Sequence, residues 1–365
     1  MKLVCKEGNI ADEGSFWCRH CERGCAPRQL SLLFEHGEKL DAVEIVALLR
    51  IFPTATLYRA RRGNRNVLVK VAHQGFEQQL KAEANLLHQL KAEANLLHQL
   101  TAHAAFPDIL PIDERQPRLY GKFTVREQTT YYLILKDMQG VFLRDMLNQH
   151  PQPPLLDATW LTIGIGEALR VLHEDYHQVH LGLNPNAILV QHSSEDVPRP
   201  ILLDFGNLTP IANRPVSMVV SSYMPPEQVE KGKCTLTADV YTLAAIFYEM
   251  TAGQPIFSSN FQTDEVLRAM IVNTEPIPLK QRRPELSSRI TLSITQALEK
   301  RASARQATIK AMLIPLRDIF GDVPLSTPKL RGFLQGIDPR LLAIVIFGLL
   351  LIMLFLIVII SITYG

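Results

Sequence analysis

The plainest chemistry in the chain lies near its start. Cys5, Cys18, Cys21 and Cys25 read C-x12-C-x2-C-x3-C, and a fifth cysteine, Cys234, stands alone far downstream. The opening residues MKLVCKEGNI lack the apolar stretch of a secretory signal. Disulfides are therefore not the first reading of the cluster; a metal site is. A structural Zn²⁺ needs four donors, and the four clustered thiols supply that number. His20, inside the C-x2-C loop, is a less favoured donor. A metal-free remnant and reactive free thiols are the alternatives. Cys234 reads as a packing residue.

The other end has no ionisable chemistry at all. Leu341 to Thr363 contains no charged residue, and such a run covers the roughly 30 Å hydrocarbon core as a helix. Lys329, Arg331 and Arg340 precede it, and only Tyr364 and Gly365 follow. The expectation is a single C-terminal transmembrane helix over 340–363. The positive-inside rule then puts the protein in the cell membrane with its body facing the cytoplasm. Residues 321–339, with Gly321, Pro324, Pro328, Gly332, Gly336 and Pro339, read as a flexible linker. A net charge of +2 gives no argument for nucleic acid.

Between these ends lie the elements of an α+β body. Residues 43–71 alternate β-branched runs with turn signals such as Arg62-Gly63-Asn64, which suits an antiparallel meander. Residues 76–100 carry a helical pattern, and TTYYLILKDM at 129–138 reads as a strand. Helices are expected over 157–174, 236–252, 263–273 and 286–300. KAEANLLHQL occurs at 81–90 and again, letter for letter, at 91–100. The second copy lies roughly 80° out of phase with the first and would lengthen a helix by about 15 Å. An apolar stripe through Leu86, Leu90, Ala94, Leu97 and Leu100 allows one long helix. A break at the junction is the alternative.

Residues 179–190, VHLGLNPNAILV, and 202–206, LLDFG, resemble the catalytic segments of bacterial serine/threonine protein kinases, V-H-R-D-L-K-P-x-N-I-L-L and D-F-G. Further landmarks follow the family order. VLVKV at 67–71 looks like the strand of the ATP-positioning lysine, Lys70. YLILKDMQG at 132–140 looks like the hinge, with Leu135 as gatekeeper. SSYMPPEQ at 221–228 places Glu227 where the family has a structural glutamate, paired by resemblance with Arg305. Asp239 falls at the family's buried acid. The resemblance implies a bilobal fold, with an N-lobe over 43–135 and a C-lobe over 136–320. It also implies a glutamate partner for Lys70. Glu83 and Glu93 are both candidates: counting forward from Lys70 favours Glu83, and counting back from AHAAFPDILPI favours Glu93. FWCRHCERGC resembles one knuckle of the zinc ribbons that precede some bacterial kinases, making 1–28 a zinc-ribbon-like segment.

The departures fall on the chemistry. Gly182 occupies the position of the catalytic Asp, Asn184 that of the Lys, Ala187 that of the Mg²⁺-binding Asn, and Leu181 that of the Arg. The glycines of the phosphate loop become Arg50, Phe52 and Ala55, with Pro53 among them. Lys70 and Asp204 remain as possible holders of ATP and one Mg²⁺. The resemblance therefore implies a pseudokinase, a signalling scaffold or allosteric partner of other proteins at the membrane. A divergent active kinase and a nucleotide sensor are the competing classes.

Overall fold

The computed structural model describes residues 17–18, 23–24, 34–97, 104–113, 117–125, 128–192, 196–214, 220–230, 232–257 and 263–323. The side chains of Cys5, Cys18, Cys21 and Cys25, the 321–339 linker beyond residue 323, and the apolar run at 340–363 lie outside that set. Among the described residues no helix is long and apolar enough to cross a membrane, and no group of His, Cys, Asp or Glu is arranged to hold a metal ion.

Trp17–Cys18 (β1) and Arg23–Gly24 (β2) pair antiparallel. The first large layer is a seven-stranded sheet. It contains Lys39–Leu40 (β3), Val43–Ile51 (β4), Ala55–Arg62 (β5) and Arg65–Ala72 (β6). After the helix Glu77–Leu97 (α1) come Ile109–Leu110 (β7), Gly121–Val125 (β8) and Gln128–Lys136 (β9). The order is β3-β4-β5-β6-β9-β7, with β8 also on β9, and every pairing is antiparallel. The β5–β6 hairpin turns at Gly63, whose φ of +57° suits a two-residue connection. One sheet face packs on an outer cluster built around Leu40, Ile45, Tyr58, Val69 and Tyr132. The other face looks toward α1 and the second lobe.

The second lobe is mostly helical. Its elements are Val141–Phe142 (β10), Leu143–Gln149 (α2), Leu155–Glu174 (α3), Gln178–Val179 (β11), Ile188–His192 (β12), Pro198–Leu202 (β13) and Thr209–Pro210 (β14). They are followed by Pro226–Val229 (α4), Leu236–Ala252 (α5), Asp264–Asn273 (α6), Leu279–Arg282 (α7), Ser288–Ala297 (α8) and Ile309–Phe320 (α9). Every residue of α5 from Ala238 to Ala252 is buried; a helix covered on all sides belongs in the middle of a lobe. It stops at Gly253, whose φ of +76° gives the left-handed cap. One hydrophobic cluster runs from Leu57 and Leu68 in the sheet through Leu87 and Phe205 to Leu243 and Leu313. Both lobes thus share a core.

The helices expected from periodicity appear within a few residues of their expected ends. Across the duplication, α1 runs without a break from the first copy into the second. Cys234 is fully buried beside Val179, Leu181 and Ala238, and burial pushes its thiol up to about 12.

Candidate functional site

Lys70 lies in the middle of β6 with no solvent exposure. A lysine there is costly unless its charge is matched. Its Nζ donates to Glu83 Oε1 and Oε2 at 2.8 and 2.7 Å, to the Leu203 carbonyl at 3.1 Å and to Asp204 Oδ1 at 3.2 Å. Glu83 comes from the first copy of the duplicated segment. Glu93, its twin, points elsewhere: it lies beside the Tyr176 hydroxyl, which burial first and that carboxylate second push up. Of the two candidate glutamates, the structure brings Glu83 to Lys70.

One ammonium thus faces two buried carboxylates. Burial opposes the lysine's charge, but Glu83 and Asp204 outweigh it and the Lys70 pKa is raised. Burial, assisted by the nearby Asp204 charge and resisted by Lys70, pushes Glu83 up to about 7. Asp204 Oδ1 also accepts from the Gly206 N–H at 3.3 Å. Its Oδ2 is buried and has no hydrogen-bond partner among the described residues.

The loop joining β4 to β5 enters the cleft. The Phe52 N–H donates to the Ala55 carbonyl at 2.8 Å, and the His73 N–H donates to the Thr54 carbonyl at 2.8 Å. So pinned, the Phe52 ring comes to 5.1 Å from Lys70 Nζ, a cation–π distance. Thr54 covers Gly206 so closely that a Cβ added there would collide with Thr54 Oγ1. Arg50 lies over the Phe142 ring at 4.3 Å and forms an ion pair with Asp145 of α2, bridging the two lobes.

The loop between β11 and β12 hangs from Asp239. That carboxylate accepts from the His180 N–H at 2.7 Å and the Leu181 N–H at 3.1 Å, and meets His173 Nε2 at 2.8 Å. Burial works against its charge, but these partners win and its pKa is lowered. Leu181 is held at φ +53°, in the left-handed region that a branched residue rarely adopts. Next to it, a Cβ on Gly182 would stand 3.1 Å from Asn207 Cβ and Nδ2. Asn184 closes the turn, accepting from the Asn186 N–H at 2.9 Å and donating to the Gly182 carbonyl at 2.9 Å. Ala187 is fully buried. A cavity of about 50 Å³ remains here among Phe52, Gly182, Asn184, Asn207 and Tyr223, and among the described residues no Asp or Glu lines it. Glu174, tied to Arg170 at 2.5 Å, and Asp175, whose backbone N–H caps α3 on the Val171 carbonyl, do not line this cavity.

Beneath this loop, Arg305 donates to both Glu227 oxygens at 2.8 Å, and also to the carbonyls of Thr237, Glu299 and Lys300. Nearer the hinge, a cleft of about 670 Å³ is lined by Leu57, Leu68, Met138, Leu189 and Leu203, with Arg50 and Asp145 also on its wall. Leu135 is buried in β9 opposite Leu68 and does not line it.

A family model described as protein kinase domain matches residues 54–315. The chain belongs to the protein kinase family. Among curated relatives of this kinase chain, serine/threonine-protein kinase PknB of Mycobacterium tuberculosis is 24% identical over 207 residues, covering 54% of this chain and 32% of that protein. Serine/threonine-protein kinase Aurora-1 of Arabidopsis thaliana is 28% identical over 251 residues, covering 68% and 76%. The chain thus spans about a third of the length of the relatives it matches first. A crystal structure of a double mutant of the Mycobacterium tuberculosis PknI kinase domain superposes with a TM-score of 0.57 at 16% identity, covering 80% of this chain and all of that one; at that identity the likeness speaks for the fold.

Typical members of the kinase family use ATP and Mg²⁺. The apolar cleft could take a purine, but the phosphate region does not fit. Phe52 and Thr54 occupy the space that glycines leave open, and Pro53 has no N–H to give. Among the described residues, Asp204 Oδ2 and Asn207 Oδ1 are buried without a hydrogen-bond partner, and Ala187 supplies no ligand.

Four residues escaped the sequence reading: Leu68, Thr54, Asn207 and Asp145. Leu68, where the family motif V-A-I-K has Ala, was readable by alignment. Thr54, Asn207 and the Arg50–Asp145 bridge were not, because each acts on a partner far along the chain.

Proposed function

We propose that this kinase-fold protein is a pseudokinase whose role is recognition: a scaffold or allosteric partner for other signalling proteins. The observation that carries the reading is Gly182 with Asn207 packed against it. Where a substrate hydroxyl would meet its base, no carboxylate of the described residues stands, and a side chain at position 182 would crowd Asn207. A missing base alone costs about 10²–10⁴-fold in rate, and the collapsed phosphate loop adds a loss of positioning. The lobes are nevertheless held closed by Lys70–Glu83–Asp204 and by Arg50–Asp145. Such a surface can be presented without turnover. The apolar run at 340–363 supports tethering at the cytoplasmic face of the cell membrane, and the cysteine spacing supports a zinc-ribbon-like start bound to Zn²⁺.

A second reading rests on the remaining cleft of about 670 Å³, a size typical of small-molecule sites. On that reading a nucleotide or similar ligand sets lobe closure.

Thermal melts with and without millimolar ATP and Mg²⁺, beside radiolabelled phosphate incorporation, separate the readings. A ligand at 100 times its Kd stabilises by about 2.7 kcal/mol. The scaffold reading expects neither a shift nor incorporation. A shift that Lys70→Ala removes would favour the sensor. Incorporation abolished by Asp204→Ala would overturn both.

A further inference from the structure

We infer that α1 has two registers against the rest of the fold, ten residues apart, with Lys70 paired to Glu83 in one and to Glu93 in the other. The structure shows the first.

The ten-residue identity is wider than the duplicated decamer. Gln79-Leu80 recurs as Gln89-Leu90 and again as Gln99-Leu100, so every residue from 79 to 90 has an identical twin ten positions on. Among the described side chains, the buried face of α1 falls inside that window: Leu80, Glu83, Ala84, Leu86, Leu87 and Leu90. Sliding the chain by ten residues would offer Leu90, Glu93, Ala94, Leu96, Leu97 and Leu100 to the same positions. The side chains are the same, in the same order. The carboxylate that neutralises Lys70 is among them, so the slip leaves no buried lysine unpaired.

The flanks do not choose strongly. In the observed register four residues, 73–76, join β6 to α1. Fifteen positions then separate Leu90 from Ala105, the next described residue in the same core cluster. After the slip the connector would hold fourteen residues, and five positions would separate Leu100 from Ala105. The ten spare residues move from the exit to the entrance, and loop-closure entropy depends only weakly on length. This is the physical content of the two conflicting counts in the sequence: each suits one register.

What separates the registers is partly exposed. Lys81 lies over the Tyr131 ring at 4.0 Å, and Lys91 would take that place. Specific to the observed register are the Lys91 bond to the Ile109 carbonyl at 3.2 Å, the Gly75 N–H bond to the Glu77 carboxylate at 3.0 Å, and Glu93 beside Tyr176. The last of these joins α1 to the end of α3 in the other lobe. A bistable helix with one buried face and two surface environments is the kind of element that a partner can bias. Anything that engages the end of α3, or the long entrance loop, would shift the balance.

Leu80 and Leu90 are both 2% exposed, which makes the test direct. In a fixed helix an aspartate at either position is equally damaging. With two registers, Leu80→Asp spoils only the first and Leu90→Asp spoils both. In the full-length protein Leu80→Asp is expected to lower the melting temperature by about 3 °C, and Leu90→Asp by about 10 °C or more. Hydrogen exchange of Leu80→Asp should show lost protection confined to 77–86. In a chain lacking one decamer the slip is impossible, so Leu80→Asp there should cost as much as Leu90→Asp. Equal losses in the full-length chain, or exchange spread over both lobes in Leu80→Asp, would overturn the inference. So would a mild Leu80→Asp in the shortened chain. Should the shortened chain not fold, the exchange pattern decides.

Discussion

Asn207 packs against Gly182 with its Cβ and Nδ2 3.1 Å from where any Cβ at position 182 would stand. The two positions lie 25 residues apart, yet the second crowds the space beside the first. Restoring the family's acid with Gly182→Asp is therefore expected to cost stability and return no phosphate transfer. Adding Asn207→Gly should recover the stability but still not the activity, because Phe52 and Thr54 remain over the phosphate region. Urea midpoints and phosphate incorporation on the two variants check this. Activity in Gly182→Asp alone would show that the loop moves aside.

Thr54 and Gly206 form a similar pair across the lobes. A methyl group at Gly206 meets Thr54 Oγ1, so Gly206→Ala should destabilise by about 1–3 kcal/mol, as overpacking does. Thr54→Gly in the same chain should relieve most of that cost. The double-mutant cycle read from urea denaturation measures the coupling. Additive effects would mean that the loop yields instead of clashing.

Arg305 should be the most damaging of the charged positions. Its side chain is fully buried, and it fastens Glu227 together with three carbonyls. Arg305→Ala is expected to cost about 3–5 kcal/mol, since it leaves Glu227 and the carbonyls unmatched. Arg305→Lys should restore little, because an ammonium cannot reproduce the two-pronged contact. Equilibrium denaturation of both variants tests it. A loss under 1 kcal/mol would place the lobe's stability elsewhere.

Glu83 carries a pH signature. Its folded pKa, near 7, lies above its ordinary value of 4.5. Between those values the native state keeps a proton that the unfolded chain has released, so stability from this group falls as pH rises through that window. Lys70, also raised, adds a loss only above its ordinary 10.5. Relative to Glu83→Gln, the parent should lose stability from pH 4.5 to pH 7, as read by melting temperatures of both proteins across that range. Parallel pH profiles would mean that Glu83 stays ionised throughout.

Much of this protein is legible in one dimension. Lys70, Asp204, Glu227, Asp239 and Arg305 stand in family order, and their spacing carries the bilobal arrangement because each anchors a local turn or strand. The loss of the base at Gly182 is likewise a matter of residue identity. Tertiary structure decided the rest. Which glutamate meets Lys70 is undetermined in the sequence, since the decamers are identical; only packing of α1 against the sheet separates Glu83 from Glu93. The filling of the phosphate region by Phe52 and Thr54, the seat of Asn207 on Gly182 and the bridge from Arg50 to Asp145 are contacts between residues distant along the chain. Periodicity and propensity describe the neighbourhood of a residue in sequence, whereas these contacts depend on how the two lobes close on each other.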